Sequence, residues 1–190
     1  MNPEKLQGLM SSRRSVREYL PDPLPEGALD RILSAATLPP SGADRLPFTF
    51  IIIEGQELKD TIRERSERVD KQWHENMDAK MGSWMKGKKI SFEKPFLTQA
   101  PVLLLVAGDT EQPYWRESTW LSIAYMVLAI EAEGLCSLTY TPANMGFLHE
   151  LVNLPDKYSP EVILPIGYPA VSHEPKRARA EARTHYEKFQ

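Results

Sequence analysis

The sequence predicts an α+β fold in a single domain spanning residues 1–190. Three observations carry this. Phe48–Ile53, 101–107 and 162–166 are short apolar runs of strand length, the first of them rich in β-branched and aromatic residues. Longer segments with apolar residues at helical spacing lie around them. No Pro/Gly/Ser-rich linker, internal repeat or low-complexity tract divides the 190 residues, and 42% hydrophobic content is enough for one substantial core.

Taken in order, Asn2-Pro3-Glu4 is a helix start, with a capping side chain, Pro in the first turn and an early acid. Leu6, Leu9 and Met10 fall on one face of that helix. Residues 25–37 predict a second helix, with Leu29, Ile32, Leu33 and Ala36 at helical spacing, stopped by Pro39-Pro40. A long charged helix is expected over 58–81. Leu58, Ile62, Val69, Trp73 and Met77 form its stripe, and Glu64–Arg68 and Glu67–Lys71 are supporting pairs. Within 82–95 the pattern breaks, with Trp84, Met85 and Phe92 among lysines, so a functional loop or lid is expected there. The 101–107 strand is apolar on both faces and reads as central. Residues 115–133 form a helix whose middle, 124–130, is apolar nearly all round, which calls for burial against a partner subunit. Gly134 suits the helix C-terminus. A short strand over 136–141, a short helix over 145–153 and the 162–166 strand complete the chain, with Pro165 confining the last to an edge or a bulge.

Composition excludes several classes of function. The formal charge of −3, with basic and acidic residues interspersed, argues against nucleic acid. No apolar run is long enough to span a bilayer, and the N-terminal residues lack a signal peptide's apolar core. The single Cys136 rules out an intrachain disulfide and suits a reducing cytoplasm. His74, His149, His173 and His185 make no metal-ligand spacing, so no metal is expected.

One stretch concentrates chemistry. Arg13-Arg14-Ser15-Val16-Arg17 places three guanidiniums where an amphipathic run gives way to an extended one. Planar forks of N–H donors match phosphate oxygens two at a time, so the cluster is sized for a terminal monophosphate. Pro40-Ser41-Gly42-Ala43 follows the next predicted helix, where a second wall could lie.

With Thr139-Tyr140-Thr141-Pro142-Ala143-Asn144 and Leu164-Pro165-Ile166-Gly167-Tyr168-Pro169, these motifs resemble the FMN-dependent nitroreductase superfamily, in its iodotyrosine-deiodinase-like branch. The resemblance covers nearly the whole chain in the right order. It implies a mixed sheet flanked by helices, in an intertwined homodimer with two FMN sites at the interface. It assigns Arg13, Arg14, Ser15, Val16 and Arg17 to the FMN phosphate and ribityl chain. Pro40, Ser41 and Gly42 would pack on the flavin from the neighbouring subunit, with the Ala43 amide toward the substrate. Thr139, Tyr140 and Thr141 would line the reactive edge, with Thr141 the catalytic residue donating to flavin N5. Arg183 best matches a C-terminal Arg that returns to the cofactor, with Arg177 and Arg179 as alternatives, on an arm over about 170–190.

The resemblance also places a lid over about 70–97. There the branch clamps an amino-acid head with a Glu, a Tyr one turn later and a Lys. Lys94 matches the Lys, Trp73 stands in the Tyr position, and Val69 falls near the Glu position with Glu67 and Asp70 adjacent. Trp73, Lys94, Asp70 and Ala43 are therefore the substrate-binding candidates, although the apolar stripe offers Trp73 a simpler place in the core. An FMN-dependent oxidoreductase reducing a small nitroaromatic or quinone-type compound is the leading expectation. Its electrons would come from NAD(P)H or a separate reductase. Reductive dehalogenation of a halotyrosine-like substrate is the alternative, and a flavin-binding sensor without turnover is a third reading from another class.

Overall fold

In the computed structural model, described over residues 2–88 and 90–176, a four-stranded sheet separates two helical layers. The strands are β1 (Phe48–Ile53), β2 (Val102–Asp109), β3 (Cys136–Ser137) and β4 (Tyr158–Gly167), in the order β1-β2-β4-β3. The helices are α1 (Pro3–Ser12), α2 (Ala28–Ala36), α3 (Gln56–Asn76), α4 (Ala79–Gly87), α5 (Phe96–Gln99), α6 (Trp115–Ala132) and α7 (Phe147–Leu151).

Where a mixed sheet was expected, each named pair of neighbours runs antiparallel, and the parallel pairing is the single bridge Ser15–Ser137. The reason is topological. The β2–α6–β3 segment is a crossover between strands of like direction, but β4 inserts between them and hydrogen-bonds to both.

β2 is central and buried along its whole length, as its two-sided apolar pattern requires. Its alternation splits the core. Leu103 and Leu105 face Ile62, Phe96, Leu97 and Leu148, while Leu104 and Val106 face Ile32, Ile123, Met126 and Ile130. α3, α5 and α7 therefore cover one face of the sheet, and α2 and α6 the other.

Three local differences from the sequence reading have identifiable causes. First, the long charged helix stops at Asn76. Met77 is extended, and Asp78 caps a new helix by accepting from Met81 N at 2.9 Å, so part of the expected 82–95 loop is helical. Second, β4 is an internal strand. Pro165 is tolerated there because its missing N–H falls on the side where β3 has left the ladder, between the Ile166–Ser137 pairing and the Tyr140–Ile163 bridge. The Tyr19 hydroxyl takes the Pro165 carbonyl at 3.3 Å. Third, Trp73 is not in the core: it is 44% exposed.

α1 begins as expected, Asn2 Oδ1 accepting from Lys5 N at 2.8 Å, but it buries no side chain. α6 buries Ile123, Met126 and Ile130, and leaves Trp120, Leu121 and Tyr125 exposed on its outer face. No helix among the described residues is long and apolar enough to cross a membrane.

Candidate active site

The site begins where α1 ends. Arg13 turns the chain out of the helix, and residues 15–19 run extended beside the sheet. Ser15 bridges to Ser137, Val16 N donates to Ser137 O at 3.2 Å, and Val16 and Tyr19 are buried. Alternation along this segment turns Arg17 outward while Val16 points in. Arg14 Nη1 donates to the Glu174 carbonyl at 2.7 Å, and Arg17 Nη1 to the Ser15 carbonyl at 3.4 Å. Among the described residues, none of Arg13, Arg14 and Arg17 meets a carboxylate at ion-pair distance. Three guanidiniums on five residues, without a carboxylate partner among the described residues, are a donor set that suits a dianionic phosphate.

Arg17 also lines a cavity of about 650 Å³, together with Thr139, Tyr140, Thr141, Asp70, Trp73 and Lys94. The tertiary structure thus brings Arg17, the last of the three guanidiniums, together with the 139–141 segment and the lid, while Arg13 and Arg14 lie outside the cavity lining. After the two residues of β3 the chain leaves the ladder, held by reciprocal bonds of 3.1 and 2.9 Å between Tyr140 and Ile163. Thr139 and Thr141 are exposed toward the cavity, while Tyr140 is buried between them. Ile90, Met85, Phe96 and Leu138 give the cavity an apolar wall, and Phe96 meets the Tyr140 ring edge-on at 5.3 Å.

The polar wall is built on Asp70 of α3. Asp70 Oδ2 accepts from the Tyr140 hydroxyl at 2.9 Å and lies 3.1 Å from Lys94 Nζ, while Oδ1 accepts from Ala143 N at 2.9 Å. Asp70 and Lys94 are 7% and 6% exposed. Lys94 Nζ also donates to the Ser91 carbonyl, and its backbone N–H donates to Glu67 Oε1 at 2.7 Å. Arg63 holds the same Glu67 oxygen at 2.7 Å. Burial, and then the neighbouring Asp70 charge, push the Tyr140 phenol above its ordinary range, so it serves as a hydrogen-bond donor.

The Ser41–Gly42–Ala43 loop does not line this cavity. It packs against the start of α6, where Gly42 N donates to Ser118 Oγ at 3.2 Å. A Cβ on Gly42 would stand 3.0 Å from the Pro113 carbonyl and 3.1 Å from the Tyr114 ring, so a larger residue there would have to displace its neighbours by a few tenths of an ångström. Ala43, Asp44, Leu46 and Tyr114 all have φ between 46° and 55°, a concentration of left-handed non-glycine residues of the kind found at functional sites. Pro40 is exposed beside them. Arg183, with Arg177 and Arg179, lies outside the described residues.

Sequence reasoning missed the cavity's His74, Glu93 and Gln99. Trp73 packs edge-on against His74 at 5.6 Å, and His74 against Phe92 at 6.2 Å. No sequence signal marked this stack, since 73–74 and 92 meet only through the turn at 77–78 and the return of the chain to α5.

The model of the nitroreductase family matches residues 10–168. The iodotyrosine deiodinase of Thermotoga neapolitana is 39% identical over 184 residues, 97% of this chain and 98% of its own. That of Haliscomenobacter hydrossis is 31% identical, over 85% of this chain and 78% of its own. A crystal structure of oxidised iodotyrosine deiodinase bound to FMN and 3-iodo-L-tyrosine superimposes with a TM-score of 0.91 at 39% identity, covering 97% of this chain and 100% of that one.

Proposed function

Because the chain belongs to the nitroreductase family, we propose that it is an FMN-dependent oxidoreductase which removes halide from a halogenated, tyrosine-like phenol. The likeness to deiodinases over nearly the full length of both chains reverses the order of the two sequence-based readings. The observation that carries the assignment is the shared cavity of Arg17, Thr139, Thr141 and Lys94, where one guanidinium of the arginine cluster, two hydroxyls and a lid cation meet.

Arg13, Arg14 and Arg17 would hold the phosphate, with the Ser15 and Val16 segment setting their spacing. Thr139, Tyr140 and Thr141 would face the cofactor, and Lys94 a carboxylate on the substrate. When bound and reduced, FMN would supply the two electrons that, with a proton from solvent, replace the carbon–halogen bond by carbon–hydrogen and release halide. The chain's own part is to orient the ring, to exclude water with apolar lid residues such as Met85 and Ile90, and to present the Thr141 hydroxyl. NAD(P)H or a separate reductase would restore the electrons.

We further propose a homodimer. The exposed Trp120, Leu121 and Tyr125 of α6 form an apolar face that no other described residue covers. The strained Ser41–Ala43 loop, which does not line its own cavity, would then complete the partner's site.

A second reading, reduction of a nitroaromatic or quinone, has a specific observation in its favour. Asp70 already accepts two hydrogen bonds and pairs with Lys94, and Glu67 does not line the cavity and shares its Oε1 between Arg63 and the Lys94 N–H, so neither acid stands ready for a substrate ammonium. The deciding experiment compares kcat/KM for iodotyrosine, iodophenol and a nitroaromatic with the flavin chemically reduced. Preference for the iodinated phenols supports the first reading; faster turnover of the nitroaromatic overturns it.

A further inference from the structure

The structure points to a role for Asp70 that the substrate reading does not contain. We propose that Asp70 is the positioning residue for Thr141, gripping the chain on both sides of it. Tyr140 immediately precedes Thr141 and donates its hydroxyl to Asp70 Oδ2 at 2.9 Å; Ala143, two residues beyond, donates its backbone N–H to Oδ1 at 2.9 Å. One carboxylate thus brackets the hydroxyl residue that the proposed function sets against the flavin, and the inference rests on that reading.

The grip is needed because the ladder has ended. β3 pairs over two residues only, and the following segment keeps just the Tyr140–Ile163 bridge. Thr141 itself has no hydrogen bond to the sheet, and a hydroxyl aimed at one ring atom must be held to a fraction of an ångström. Pro142 narrows the backbone of Thr141 to extended conformations, and the two Asp70 bonds fix the ends. Asp70 is in turn fixed: it stands on α3, is 7% exposed, and has Lys94 at 3.1 Å. Both struts are charge-assisted, which makes them the stronger kind of hydrogen bond. Because Lys94 precedes α5 at the end of the lid, the same carboxylate also ties lid position to the 140–143 segment.

The test is a double-mutant cycle on the FMN-loaded protein, read by the midpoint potential of the bound flavin. Tyr140→Phe removes one strut without altering any charge. It is expected to shift the flavin's redox equilibrium in the same direction as Thr141→Ala, by up to tenfold or about 30 mV for a two-electron couple. It should have no further effect once Thr141 is Ala. Asp70→Asn should behave alike, and its residual shift in the Thr141→Ala background measures loss of charge alone. The proposal is overturned if Tyr140→Phe and Asp70→Asn leave the potential unchanged while Thr141→Ala moves it. Full shifts in the Thr141→Ala background, or a Thr141→Ala variant with an unaltered potential, overturn it as well. If Asp70→Asn does not fold, the Tyr140→Phe arm decides. Wild-type protein that takes up no FMN overturns the functional reading itself, and this inference with it.

Discussion

Lys94 Nζ and Asp70 Oδ2 stand 3.1 Å apart, both side chains about nine-tenths removed from solvent, and each is bonded further into the protein. A buried pair of this kind contributes little net stability as a pair, yet losing one member leaves the other charged and unmatched. Asp70→Ala is therefore expected to destabilise the fold by about 3–5 kcal/mol. The Asp70→Ala, Lys94→Met double variant should recover only the part due to the stranded lysine, since the Tyr140 hydroxyl and Ala143 N–H still lack their acceptor. Urea denaturation of the three proteins is the measurement.

Substrate choice should turn on Lys94. If a carboxylate is anchored there, Lys94→Ala raises KM for iodotyrosine far more than for iodophenol, because only the amino acid carries the head group. Equal changes for both substrates would show that Lys94 acts on the ring or on the lid instead.

The protein should purify yellow and release FMN rather than FAD. Arg13→Ala or Arg17→Ala is expected to weaken FMN binding by about 1.5–3 kcal/mol for each charged hydrogen bond lost. Fluorescence titration of flavin into stripped protein measures this directly, and protein that binds no flavin refutes it.

Light scattering should give a dimer that holds its flavin. Leu121→Glu, which sets a charge on the exposed face of α6, should yield monomer and release FMN together. A flavin-loaded monomer at micromolar concentration would contradict this.

Ligand binding over the flavin should change tryptophan fluorescence, since Trp73 lines the cavity and Trp84 stands 54% exposed on α4. It should also protect residues 82–95 from proteolysis. Unchanged cleavage at saturating ligand would remove the lid role from that segment.

Alkaline pH should expose the state of Cys136. Burial pushes its thiol up to about 12, from an ordinary value of 9.0. Between those values the unfolded chain gives up a proton that the folded chain keeps, so stability falls as pH rises. Cys136→Ala should flatten that slope, seen as a smaller loss of urea midpoint between about pH 8 and about pH 10.

The sequence by itself determined much of this protein. The two-sided apolar pattern of 101–107 made the strand that became β2 central, and Asn2-Pro3-Glu4 set the start of α1, because each is a local preference or a burial pattern written in consecutive residues. The chemistry of Arg13, Arg14 and Arg17 was legible for the same reason: charge and spacing do not depend on the rest of the fold. The tertiary structure decided what depends on distant partners. The Asp78 cap divided a helix whose apolar stripe ran on in the sequence, Trp73 left the core for the cavity, and Pro165 entered an internal strand because β3 ended beside it. Above all, only the packing of α3 against the 140–143 segment brought Asp70 to Tyr140 and Ala143, 70 and 73 positions away. A carboxylate states in sequence that it needs donors; which donors reach it is settled when the chain closes around it.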